Sequence, residues 1–222
     1  MQRILILFSL LSSLTPAFTQ GPVYLPLGDS YTICEGLKEE ERWPNLLAGQ
    51  LEKNGSPVQL AYNPSRTGYT TQDLIKHELP YLKTTKPAIV TLLIGVNDYV
   101  QGYDTSHFHQ NLHYILDEIQ RSVKTKTHII LITIPDYSVT PAGAYYTNGR
   151  NVTADLKIWN HIIQQEATNR QLPCIDIFPL TLKMKDSPDL VGADGLHPSA
   201  QEVALWAELI YPEMLRLVKK SD

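Results

Sequence analysis

Basic residues are the scarce class in this chain: 19 lysines and arginines stand against 23 aspartates and glutamates, a formal net charge of -4. Such a balance provides no cationic stripe to neutralise phosphates, so nucleic acid is not an expected partner. Long apolar runs are equally rare. Beyond the first residues, no segment approaches the roughly 20 apolar residues a membrane-spanning helix needs. Low-complexity tracts and repeats at solenoid or propeller periods are missing, and the 12 glycines and 15 prolines are scattered, not gathered into a linker. Cysteine occurs only at Cys34 and Cys174, enough for one disulfide at most. What is plentiful is apolar material, 43% of 222 residues, enough to fill one core. One domain over residues 20–222 is expected.

The one concentrated apolar run lies at the start, where Arg3 precedes Ile4 to Leu14 and small residues follow near Ala17 and Thr19. A positive charge, a run of about eleven apolar residues and a small-residue site make a secretory leader, too short to anchor in a bilayer. Residues 1–19 are therefore expected to be a signal peptide. The mature protein is expected in the periplasm or outside the cell, with no stable membrane span.

After the leader, apolar runs at 23–27, 58–62, 88–94, 128–134 and 174–177 alternate with amphipathic stretches at about 43–54, 71–78, 105–124, 152–169 and 200–219. The helical period is clearest where Phe108, Leu112, Ile115, Leu116, Ile119 and Val123 form one stripe. Ser199 and Glu202 read as a capping box for the last helix, whose apolar face carries Val203, Trp206, Ile210, Met214 and Leu217. Strands joined by helices need right-handed crossovers, and these build a parallel sheet with helices on both faces, a three-layer α/β/α sandwich. Ligands of such sheets bind beyond the carboxyl ends of the strands. Unusual polar residues belong there, and the sequence supplies them.

The first strand ends in Gly28-Asp29-Ser30, placing a serine hydroxyl at that edge. A serine needs an imidazole to take its proton and a carboxylate to orient the imidazole. His197 and Asp194, in Asp194-Gly-Leu-His197-Pro198 before the last helix, provide both. Attack on a carbonyl also needs donors for the developing oxyanion. Gly68 follows the second strand, where a missing side chain opens the backbone N–H to a substrate, and Asn97 follows the third. Seen alone, the serine, the glycine and the asparagine read more readily as turn or cap residues, and the Asp194–His197 pair reads equally well either way.

In order and in place, Ser30, Gly68, Asn97 and His197 resemble the four blocks of the SGNH hydrolases, the GDSL esterases and lipases. The resemblance spans nearly the whole mature chain. It implies a flavodoxin-like five-stranded sheet of order 2-1-3-4-5, a Ser30–His197–Asp194 triad, and an oxyanion hole from Ser30, Gly68 and Asn97. It also implies an ester hydrolase that needs no cofactor and no metal. Sugar deacetylation, lysophospholipid cleavage and general short-chain esterase activity are all open. That sheet order separates the strands bearing Cys34 and Cys174 by two others, beyond the roughly 7 Å allowed between bridged Cα atoms, so two unpaired, largely buried thiols are expected. The G-x-S-x-G elbow of the α/β-hydrolases is missing. Tyr69 departs from the family's second block and is a candidate pocket residue, while Asp29 and Asp98 read as supports for their turns.

Three further features carry less. His107, His109 and His113 open the third long helix, but no acidic or cysteine partner is apparent, so a solvated face is the expected reading. The long polar and aromatic segment from Pro135 to Arg150, with Tyr137, Tyr145 and Tyr146, has the length of a pocket-shaping loop. Asn151-Val-Thr153 has the form of a glycosylation acceptor. The rival to an exported esterase is a catalytically silent carbohydrate-binding protein on the same fold. A flavodoxin-type cofactor binder is disfavoured, because Asp29 puts a carboxylate where phosphate would sit.

Overall fold

The computed structural model describes residues 21–122 and 128–221, so the leader expected over residues 1–19 and the expected stripe residue Val123 lie outside the described residues. Chain order runs β1 (Val23–Gly28), α1 (Ser30–Ile33), α2 (Trp43–Lys53), β2 (Gln59–Leu60), α3 (Thr71–His77), α4 (Tyr81–Thr85), β3 (Ile89–Leu93), α5 (Val96–Val100), α6 (Thr105–Ser122), β4 (His128–Ile132), α7 (Val152–Arg170), β5 (Cys174–Ile175), α8 (Phe178–Thr181) and α9 (Ala200–Ser221). The strands form one parallel sheet in the order β2-β1-β3-β4-β5, as the family resemblance implies. Leu25 pairs with Val90 and Leu27 with Leu92, and Val90 pairs in turn with Ile129.

The central strands β1, β3 and β4 are continuous apolar runs because helices cover both their faces. The α2 and α9 helices pack together, and α6 packs between α3 and α7. Trp43 and Trp206 are fully buried. The stripe of α6 is buried at Phe108, Leu112, Ile115, Leu116 and Ile119, each contributing about 1.5–3 kcal/mol of apolar burial.

Several elements differ from the sequence reading. The edge strands shrink to two residues each, because an edge strand has a ladder on one side only. Directly after β5 the Asp176 carboxylate also diverts the chain, accepting from the Thr133 hydroxyl at 2.8 Å and the Phe178 N–H at 3.2 Å. The short helices α1, α4, α5 and α8 span only four or five residues, too few to show a period. The capping box before α9 is half formed. Ser199 Oγ accepts from the Glu202 N–H at 3.4 Å, but the Glu202 carboxylate turns inward to Trp206 Nε1 at 2.8 Å. Both cysteines are free, as expected, although Cys174 is only partly buried.

Candidate active site

Ser30 opens α1 at the carboxyl edge of β1 and is 5% exposed. The turn before it lies flush against β3: a Cβ at Gly28 would collide with the Leu93 carbonyl oxygen. Two buried carboxyl groups frame this turn. Glu78, at the end of α3, accepts from the Gly28 N–H at 2.9 Å, and Asp29 accepts from the Tyr31 N–H at 3.0 Å. Burial pushes the Asp29 carboxyl up to about 8, partly offset by its bond from Tyr31, and drives Glu78 well above the usual range.

His197 sits on a tight loop closed by the pairing of Val191 with Pro198 and by the Gly192 N–H donating to the His197 carbonyl at 2.7 Å. Asp194 is fully used. Its Oδ1 accepts from the N–H groups of Leu196 and His197, each at 2.9 Å, and its Oδ2 lies 2.5 Å from His197 Nδ1. Partial burial would raise this carboxyl, but the imidazole and the two N–H groups outweigh burial and hold it below the ordinary range. Tyr31 braces the imidazole edge-on, with ring centres 5.7 Å apart, and leans in turn on Trp206 at 6.1 Å. Tyr31 was not singled out by the sequence, although its place directly after Ser30 is the signal that could have found it.

Gly68 adopts φ +84°, a conformation L side chains rarely take, and a Cβ there would meet nothing within 4 Å. Backbone conformation, not crowding within the protein, therefore requires glycine here. Asn97 donates from Nδ2 to the Tyr69 carbonyl at 2.9 Å, which fixes its amide and leaves the second N–H of that group available. Behind it, Asp98 accepts from the Thr71 N–H at 2.8 Å and from the Thr71 hydroxyl, joining β3's end to the start of α3.

Ser30, Gly68, Asn97 and His197 line one cavity of 210 Å³, and Asp194 stands behind the imidazole. No hydrogen bond joins the Ser30 hydroxyl to His197 among the described residues; such bonds often tighten only when substrate is present. Val96, Val100 and Leu196 give the cavity an apolar side, and Tyr137 and Tyr146 of the long segment also line it. Tyr145 is 84% exposed and takes no part in the lining. Tyr69 also stays outside, stacked on His77 with ring centres 5.6 Å apart. Arg150 lies 4.0 Å above the Tyr99 ring and donates to the Tyr99 carbonyl at 2.7 Å, pinning the end of the segment. Asn151 caps α7 by accepting from the Ala154 N–H at 3.2 Å.

The expectation that the α6 histidines lack an acidic partner is overturned. Glu166 of α7 places Oε1 2.8 Å from His109 Nε2 and 3.2 Å from His113 Nδ1. Its other oxygen accepts from Arg170 Nε at 2.9 Å, and Arg170 also pairs with Asp117 at 2.7 Å. The guanidinium thus already answers the charge of the cluster, which ties α6 to α7.

A parallel sheet whose carboxyl edge holds a serine, a carboxylate-bound imidazole and amide donors around one small cavity has the make-up of an acyl-bond hydrolase. The GDSL-like lipase/acylhydrolase family matches residues 27–201, and the chain belongs to that family, a carboxylic ester hydrolase of the SGNH type. An arylesterase of Vibrio mimicus is 24% identical over 212 residues, covering 96% of each chain. Esterase TesA of Pseudomonas aeruginosa is 24% identical over 198 residues, 87% of this chain and 88% of its own. Among solved structures, the psychrotrophic esterase EstA of a Pseudoalteromonas species superposes with a TM-score of 0.69 at 22% identity, covering 89% of this chain and 99% of that one.

Proposed function

We propose that Ser30 is the nucleophile of a short-acyl esterase, with His197 as general base and Asp194 as the group that orients it. The observation carrying this reading is the 2.5 Å contact of His197 Nδ1 with a fully hydrogen-bonded Asp194, which leaves Nε2 for the cavity that Ser30 lines. Ser30 Oγ attacks the ester carbonyl as Nε2 takes its proton. The oxyanion rests between the N–H groups of Ser30 and Gly68 and the free N–H of the Asn97 amide. The acyl C–O bond then breaks and the alcohol leaves with the proton held by His197. Water repeats the sequence, releasing the acid and restoring Ser30.

A cavity of 210 Å³ falls below the range of roughly 300–1,000 Å³ that holds drug-sized ligands, which favours short acyl groups against Val96, Val100 and Leu196. The relatives named arylesterase and esterase accord with that. Residues 1–19 act as the leader of an exported protein, with residues 20–222 as the one catalytic domain. No helix among the described residues is long and apolar enough to cross a membrane. Hydrolysis of p-nitrophenyl esters from acetate to palmitate tests the reading. Turnover should peak at acetate to butyrate and vanish in Ser30→Ala, and an active Ser30→Ala would sink the assignment. Inactivity on every ester, with no labelling by a fluorophosphonate probe, would favour the silent binding protein.

A further inference from the structure

A second cleft opens at the same edge of the sheet, and the proposed reaction leaves it unused. It measures 470 Å³ and is lined by Ile33 at the end of α1, Arg42 and Asn45 at the start of α2, and Tyr62, Ser65 and Arg66 after β2. Arg66 lines this cleft while its neighbour Thr67 lines the first, so the two meet at one turn. The sheet order separates their contents. Val96 and Tyr137, on the acyl side, follow β3 and β4, whereas the second cleft lies over β2, with β1 and Ser30 between. An ester carbonyl held at Ser30 would send its acyl group one way and its alcohol the other.

The unused groups in the cleft indicate which alcohol. The Arg66 guanidinium makes no hydrogen bond or ion pair among the described residues, and that of Arg42 reaches only the Leu37 carbonyl, at 3.4 Å from both Nε and Nη2. One carboxylate, that of Glu39, also lines the cleft, so the lining carries two cations against one anion. The Ser65 hydroxyl is buried without a partner, in a residue only 3% exposed. An orphan buried hydroxyl is costly unless a ligand answers it. Tyr62 is 67% exposed, with one face stacked on Tyr81 at 5.9 Å, which leaves the other as a flat platform. Asn63 donates to the Thr32 carbonyl at 3.0 Å and accepts from the Ser65 N–H at 3.1 Å, fastening the cleft to the helix that begins at Ser30.

We infer that this cleft binds the alcohol part of the substrate and that this part is a saccharide bearing a carboxylate. The pyranose ring lies on Tyr62, the carboxylate faces the Arg42 and Arg66 guanidiniums, and a ring hydroxyl meets Ser65. The inference rests on the esterase reading: hydrolysis adds water across the acyl C–O bond, giving the free carboxylic acid and the acidic sugar with its hydroxyl restored.

The test compares O-acetylated methyl glucuronoside, the matching O-acetylated methyl glucoside, acetyl glycerol phosphate and p-nitrophenyl acetate on the purified protein. The uronate should exceed the glucoside in kcat/KM by about tenfold or more, the scale of a charge-assisted hydrogen bond. That preference should disappear in Arg66→Ala and Arg42→Ala, leaving the two sugars hydrolysed at similar rates. Ser65→Ala should raise KM for the uronate several-fold without lowering Tm, because it removes an unpartnered group. Equal rates on the two sugars would overturn the inference, as would a phosphate ester preferred over both and indifferent to Tyr62→Ala. Binding of the unacetylated methyl glucuronoside and glucoside to Ser30→Ala, followed by NMR titration, separates this result from the esterase reading. A uronate preference that Arg66→Ala abolishes supports the cleft even if no ester is cleaved, and equal binding of the two overturns it even if esters are.

Discussion

Carboxyl groups on two sides of Ser30 occupy opposite environments. Asp194 lies on an exposed loop with three donors on its two oxygens, and its carboxyl is held low. Asp29 and Glu78 lie buried beneath the serine turn, each with one oxygen that no group answers, and burial holds both high. Identical chemistry is thus divided by desolvation. The ionised carboxylate faces an imidazole whose positive charge it can stabilise, while the neutral pair offers hydrogen bonds that hold backbone without placing charge beside the Ser30 hydroxyl.

The sharpest way to break this division is Asp194→Asn. If the ionised member supports His197 in catalysis, kcat should fall by about 10⁴-fold, as for removal of the orienting carboxylate in other Ser-His-Asp sites, while circular dichroism stays unchanged. Asn97→Ala, which spares both carboxyl environments, should cost about 10²–10³ in kcat, the scale of one oxyanion donor. On the neutral side, Glu78→Ala strands the buried Gly28 N–H and should lower stability by about 1–3 kcal/mol in urea unfolding, whereas Glu78→Gln should keep most of it. Asp29→Asn keeps a neutral acceptor for Tyr31, so kcat should stay within about threefold of wild type, below the effect of losing a typical catalytic group. A large loss there would mean that Asp29 works as a charge.

The same division should show in the pH dependence of stability. Asp29 binds its proton more tightly in the folded chain than in the unfolded one, so its contribution is complete at acid pH and is lost as pH rises towards about 8. Asp194 has the opposite sign: its contribution holds at neutral pH and is lost as pH falls through the acid carboxylate range. Thermal unfolding should therefore show Tm declining from about pH 5 to about pH 8, with Asp29→Asn flattening that decline.

The legible parts of this protein are those set by neighbours in sequence. Asp194 and His197 share one short loop, and Ser30 follows the strand that presents it, so chemistry and place could be read together. The α6 stripe was equally plain, because eighteen residues repeat the period several times. What escaped depends on partners far along the chain. Glu78 is one acidic residue near a helix end until the fold brings it to Gly28, 50 positions away, and Glu166 reaches His109 across 57. The Pro135 to Arg150 segment could be recognised by its length, but which tyrosines line the cavity is decided by the Tyr137 hydroxyl donating to the Tyr146 carbonyl at 3.3 Å and by the Arg150 clamp. Glu202 misled for a related reason: burial beside Trp206 outweighed the local cap it could have made.

One backbone bond reaches further than its size suggests. The Ala142 N–H donates to the Gly195 carbonyl at 2.8 Å, joining the segment that carries Tyr137 and Tyr146 to the loop that carries Asp194 and His197. The wall that, in the proposed reaction, gauges the acyl group and the loop that holds the imidazole are thus yoked as one mechanical unit. Transplanting the tyrosine segment into another family member to change its chain-length preference would therefore disturb the receiving imidazole's alignment unless residues 191–198 travel with it.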